Sequence, residues 1–177
     1  MMSGKRTGLV QVFTGNGRGK TTAALGSVLR AVGQDLKVHI IHFMKGTYPY
    51  GEQNALTHLP GVTVSRFGKL DFVDPNNVKE DEKEEARKAL EAGREAMLSG
   101  KFDMVVLDEV NIASGWGLVP VEAVIDVIKA KPDNVELILT GRYADQRLIE
   151  VADLVTEMVE VKHPYQQGIK ARQGFEY

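Results

Sequence analysis

Residues 14–22 read Thr14-Gly15-Asn16-Gly17-Arg18-Gly19-Lys20-Thr21-Thr22, and the fold follows from what flanks them. An apolar run, Gly8 to Phe13, leads in, and a helical apolar period, Thr21 to Val32, leads out. A strand, a glycine-rich turn and a helix in that order form a loop whose backbone N–H groups converge on a phosphate. Gly15, Gly17 and Gly19 permit a tight turn and close approach to an anion. Lys20 supplies a cation and Thr21 a hydroxyl for Mg2+, with Thr22 completing the candidate phosphate-binding set. The helix N-terminus near Lys20 adds the positive end of its dipole. The stretch is a variant of the pattern G-x-x-x-x-G-K-S/T, because the first glycine would fall at Thr14 and Gly15 stands beside it. A glycine-rich turn with no ligand is the plainer alternative.

The rest of the chain fits one domain over residues 1–177, with 43% hydrophobic and 26% charged residues. A net charge of −2 and a pI near 6.1 argue against general nucleic-acid binding, which favours a strong basic excess. There is no cysteine, which excludes disulfides, thiolate metal sites and cysteine nucleophiles. No leader-like apolar segment follows Met1 to Thr7, and no run approaches the ~20 apolar residues that span a bilayer. A soluble, cytoplasmic protein without a membrane partner is the expectation.

Outward from the loop, strand and helix alternate. Strands are expected at Leu9–Phe13, Lys37–Phe43, Val62–Phe67, Asp103–Leu107, Val135–Leu139 and Leu154–Val161. Helices are expected from Thr21 to Val32, ending at Gly33, in a short piece before Pro60, after Pro120, and around Asp145 to Val151. A long helix carries the stripe Ala86, Leu90, Gly93 and Met97, with Asn77 and Glu80 as its capping pair and Gly100 as its stop. Its acidic start, Glu80 to Glu85, reads as a solvated face. Alternation of this kind predicts an α/β three-layer sandwich with a mainly parallel sheet of about six strands, helices on both faces and right-handed crossovers.

Ligands of such sheets bind at the carboxyl ends of the strands. The chemically loaded residues fall there: Gly15 to Thr22 after the first strand, and His42, Lys45 and Gly46 at the second. Asp108 and Glu109 end the fourth, and Thr140 and Arg142 the fifth. Met104-Val105-Val106-Leu107-Asp108-Glu109 is an apolar strand delivering carboxylates beside phosphates, where they can hold Mg2+ directly or through water. Spacing does not say which carboxylate touches the ion. Arg142 is a candidate phosphate contact, with a surface ion pair as its other reading. His39 and His42, three apart on one strand, point to opposite faces and make a poor metal pair. For Trp116 and Tyr143 the pattern favours packing over lining a pocket.

Thr14 to Thr22, Phe43-Met44-Lys45-Gly46, Val105 to Glu109, Thr140-Gly141-Arg142, Val161-Lys162-His163, Gly168 to Ala171 and Gly174 to Tyr177 together resemble the P-loop ATP:corrinoid adenosyltransferases of cobalamin synthesis and salvage. The motifs stand in that family's order over nearly the whole chain. The resemblance implies a P-loop NTPase (RecA-like) fold and transfer of the 5′-deoxyadenosyl group of ATP to the cobalt of a cob(I)alamin-type corrinoid, with triphosphate leaving. It implies Lys20 and Arg18 on the triphosphate, Thr21 with Glu109 or Asp108 on Mg2+, and Asn16 placing the nucleotide. It also implies a homodimer and a flavoprotein that supplies Co(I). The family carries a Phe and a Trp close together after the third strand. Here that loop reads Gly68 to Pro75, with Phe72 and no Trp, and Phe72 is expected at the lower corrin face. A P-loop kinase or ATPase and a non-catalytic nucleotide switch are the competing readings.

Overall fold

The computed structural model describes residues 7–46, 50–69 and 71–175. Met1 to Arg6, residues 47–49, Leu70 in the 68–75 loop, and Glu176 with Tyr177 of the terminal motif lie outside the described residues.

Six strands form one sheet: β1 (Val10–Thr14), β2 (Val38–His42), β3 (Val62–Arg66), β4 (Met104–Asp108), β5 (Glu136–Thr140) and β6 (Leu154–Glu157). Their order is β3-β2-β4-β5-β1-β6, and every pairing is parallel. The helices are α1 (Lys20–Val32), α2 (Gly51–Leu56), α3 (Glu80–Leu98), α4 (Val110–Gly115), α5 (Val121–Lys129) and α6 (Gln146–Val151). A 3-10 turn spans Pro164–Gln167.

Strand parity divides the core into two layers. Val105 and Leu107 of β4, Leu137 and Leu139 of β5, and Ile41 of β2 pack on one face with Ala89, Leu90 and Met97 of α3 and Val124 of α5. Met104 and Val106, Ile138, and Val38 and Ile40 of the same strands face Ala24, Val28 and Ala31 of α1. Both faces are therefore covered, and β4 is buried at all five positions, as its unbroken apolar run predicts. The expected three-layer α/β sandwich is the observed one.

Three local expectations are corrected. The N-cap of α3 is Lys79, not Asn77: the Glu82 carboxylate accepts the Lys79 backbone N–H at 2.7 Å, two residues beyond the expected pair. The last strand stops at Glu157 rather than Val161, because the chain turns there onto the phosphate loop. Met158 donates its N–H to Thr14 O (2.8 Å) and accepts from Gly17 N–H (2.6 Å). Helix α4, directly after Glu109, lies where the sequence pattern carries no helix signal. It is short, and its N-cap, Glu109, has a left-handed backbone (φ 69) and no side-chain capping bond. Among the described residues no helix is long and apolar enough to cross a membrane.

Candidate active site

The loop between β1 and α1 turns through two left-handed glycines, Gly15 (φ 94) and Gly19 (φ 113), the second serving as the N-cap of α1. A side chain is excluded at Gly15 and Gly17 by contact as well: a Cβ there would lie 2.5 and 2.7 Å from the Met158 carbonyl oxygen. The sequence therefore needs glycine here to seat the loop against the segment after β6. Lys20 is buried at the start of α1 and donates to Gly17 O at 2.6 Å, folding its ammonium back over the loop. Burial lowers its pKa, Glu109 opposes that, and Arg142 adds to it.

Asp108 is the centre of the polar network. Its Oδ1 accepts from Thr21 Oγ1 (2.8 Å) and Thr140 Oγ1 (2.7 Å). Its Oδ2 accepts from Lys45 Nζ (2.6 Å) and takes a 2.8 Å hydrogen bond from His42 Nδ1. The register of the sheet makes this possible, since His42 lies directly opposite Asp108 across the β2–β4 ladder. Burial alone would raise the Asp108 pKa. The Lys45 charge and the His42 hydrogen bond outweigh it and hold the carboxyl well below the usual carboxylate range. Burial would likewise lower Lys45, and Asp108, with Glu109 behind it, drives it up instead.

Glu109 behaves oppositely. Burial and the neighbouring Asp108 raise its carboxyl, against Lys45, Lys20 and Arg142. Two adjacent carboxylates thus have divided properties. One is firmly ionised and has both oxygens doubly hydrogen-bonded. The other is disfavoured as an anion by its burial and by the carboxylate beside it. Thr140 Oγ1 also accepts the Glu109 backbone N–H (3.0 Å), which fixes the strained residue in place.

These groups open onto a cleft of about 740 Å³ at the carboxyl ends of the strands. Arg18, Gly19, Lys20, Thr21 and Thr22 line it, together with Lys45, Glu109 and Arg142. Phe72 reaches it from the 68–75 loop and is 85% exposed. The structure therefore brings together Lys20, Thr21, Thr22, Glu109, Arg142, Arg18 and Phe72, with Asp108 buried behind Thr21. Asn16 is exposed and does not line this cleft, and Gly15 faces Met158 instead.

His42, Lys45 and Thr140 stand at the expected strand edge, and their role there is to bond Asp108. Their convergence on Asp108 is a matter of strand order, which spacing does not encode. Trp116 and Tyr143 both line the cleft; Trp116 also packs on the core as the pattern favoured, whereas Tyr143 is 54% exposed. Among the described residues no group of three or more His, Asp or Glu side chains is placed to hold a metal. A cation bound here would have to complete its shell from a hydroxyl, one carboxylate, phosphates and water.

A parallel sheet, a glycine loop capping α1, a buried lysine and a strand-end carboxylate bonded to the loop threonine define a P-loop nucleotide-binding protein. The profile of the family described as ATP:corrinoid adenosyltransferase BtuR/CobO/CobP matches residues 6–177, and the chain belongs to that family. It is 35% identical to the corrinoid adenosyltransferase of Escherichia coli, covering 96% of this chain and 86% of that one. It is 36% identical to the corrinoid adenosyltransferase CobA of Salmonella typhimurium, with the same coverage, 96% and 86%. A corrinoid adenosyltransferase of Sinorhizobium is 38% identical over 96% of this chain and 80% of its own length.

Proposed function

We propose that this protein transfers the 5′-deoxyadenosyl group of ATP to the cobalt of a reduced, cob(I)alamin-type corrinoid and releases inorganic triphosphate. The observation that carries the reading is a phosphate loop lining a wide cleft that Phe72, Trp116 and Tyr143 also line, in a chain of this family.

The electron pair of Co(I) forms the new bond to C5′. The C5′–O bond breaks, and its electrons stay on the triphosphate oxygen. The nucleophile carries no proton, so the site needs no general base. Its tasks are alignment of cobalt with C5′ and neutralisation of a polyanionic leaving group. Lys20, Arg18 and the loop amides are the residues for the second task, and Arg142 reaches the same cleft. Asn16 and Gly15 shape the loop, and Phe72 is the contact to the lower corrin face.

Mg2+ would offset triphosphate charge, and the donor set fits it. The Thr21 hydroxyl, which donates its hydrogen bond to Asp108, keeps lone pairs for a cation, and Glu109 supplies the carboxylate. Asp108 would have to surrender hydrogen bonds to ligate directly, so its role is to orient Thr21. A homodimer, a cytoplasmic location and a flavoprotein reductant belong to the same reading.

The test is anaerobic: protein, ATP, Mg2+ and chemically reduced cob(I)alamin, with the corrinoid spectrum followed and the phosphate product identified. Light-sensitive adenosylcobalamin with stoichiometric triphosphate is expected. Diphosphate accumulating over an unchanged corrinoid would instead mark a kinase or ATPase.

A further inference from the structure

A second cleft, of about 410 Å³, lies beside the phosphate loop. It shares Gly17 and Arg18 with the loop and is otherwise built from the segment after β6, residues 159–165 and 169–172. Its lining is strongly cationic. Among the described residues, Arg18, Lys162, Lys170 and Arg172 stand against a single carboxylate, Glu160, which already accepts from Gln166 Nε2 at 2.5 Å. The chain as a whole carries a net charge of −2, so this local excess runs against its composition. The cleft is also held in register with the loop. Met158 bonds to Thr14 and Gly17 through its backbone. Further along, Arg18 donates to the Phe175 carbonyl, and the Arg172 guanidinium lies 5.0 Å over the Phe175 ring. Both arginines are thereby tethered at the boundary between the two clefts.

We propose that this basic cleft is a polyphosphate subsite, taking the terminal end of the ATP polyphosphate and holding it as triphosphate departs. This rests on the adenosyl-transfer reading. In that reaction C5′ must face the large cleft, where the corrinoid has room. The polyphosphate then runs along the loop away from it, and its far end emerges across Gly17 and Arg18 into the smaller cleft. A leaving triphosphate carries more negative charge than Lys20, Arg18 and one divalent cation offset. Lys162 and Lys170 supply the remainder at the end farthest from the bond that breaks.

The experiment is calorimetric titration of the full chain with inorganic tripolyphosphate, ATP and AMP, each with Mg2+, in the parent and in Lys162→Ala/Lys170→Ala. Both lysines are exposed, so the fold should survive, and a thermal melt checks it. One charge-assisted contact is worth on the order of tenfold in affinity. Tripolyphosphate and ATP should each weaken by roughly tenfold or more, AMP should stay within about twofold, and Lys162→Arg/Lys170→Arg should recover most of the loss. Tripolyphosphate affinity unchanged in the alanine variant overturns the assignment. So does equal weakening of AMP, and so does a second tripolyphosphate bound per chain while ATP affinity stays constant, which would make the cleft an independent anion site. Diphosphate as the product of the anaerobic assay would sink the adenosyl-transfer reading separately, whatever these affinities are.

Discussion

Replacing Asp108 by Asn tests whether this buried carboxylate organises the site. Each of its oxygens accepts two hydrogen bonds, from Thr21 and Thr140 on one and His42 and Lys45 on the other. An amide has one oxygen and one NH2: turned toward Lys45 and His42, its NH2 confronts an ammonium that can only donate, and turned toward Thr21 and Thr140 it forces both hydroxyls to reverse and leaves Lys45 only a neutral oxygen. Hydrogen bonds to a charged group contribute about 1.5–3 kcal/mol each, and breaking a buried ion pair costs about 3–5 kcal/mol. Lys45, 11% exposed, would be left without its counter-ion. A destabilisation of about 3–5 kcal/mol follows, which for a chain of this size lowers Tm by about 6–20 °C. The pH dependence has a defined sign. The folded pKa of Asp108 lies below its unfolded value of about 3.9, so its contribution is complete above that pH and is lost as pH falls toward the folded pKa. Lys45 is raised, so its contribution is complete below about 10.4 and is lost as pH rises through its folded pKa. The gap between parent and variant, measured by urea unfolding, should therefore be flat from about pH 5 to about pH 9 and narrow outside it. A Tm loss under about 3 °C, or a gap that varies steeply near neutrality, would refute the reasoning.

Gly17→Ala should cost about 1–3 kcal/mol by overpacking, because its Cβ meets the Met158 backbone at 2.7 Å, with equilibrium unfolding as the check. Glu109→Gln should raise the Mg2+ concentration for half-maximal turnover by roughly tenfold or more. The same variant should stabilise the ligand-free protein, since burial and Asp108 disfavour the charge it removes; metal titration and a melt without metal read the two effects. Phe72→Ala should leave stability within about 0.5 kcal/mol, its side chain being 85% exposed, yet weaken corrinoid binding measured by spectral titration. Unchanged corrinoid affinity and turnover would remove Phe72 from the corrin face.

The sequence by itself determined the architecture and the phosphate loop, because both are written in local patterns. The unbroken apolar run of β4 needs two covered faces, and Gly15 to Thr22 between a strand and a helix admits few conformations. It also placed His42, Asp108 and Thr140 at one edge, since all three end their strands. It did not determine that they touch. Only the order β3-β2-β4-β5-β1-β6 sets His42 and Thr140 on either side of Asp108, and their bonds to it are what distinguish its surroundings from those of Glu109. Where the chain leaves regular structure the local signal fades altogether. Helix α4 follows a strained Glu109 with no capping side chain, and the segment after β6 is polar and aperiodic. Its cations gather beside the loop because Met158 is bonded to Thr14 and Gly17, contacts more than 140 residues apart in the chain that only tertiary packing could decide.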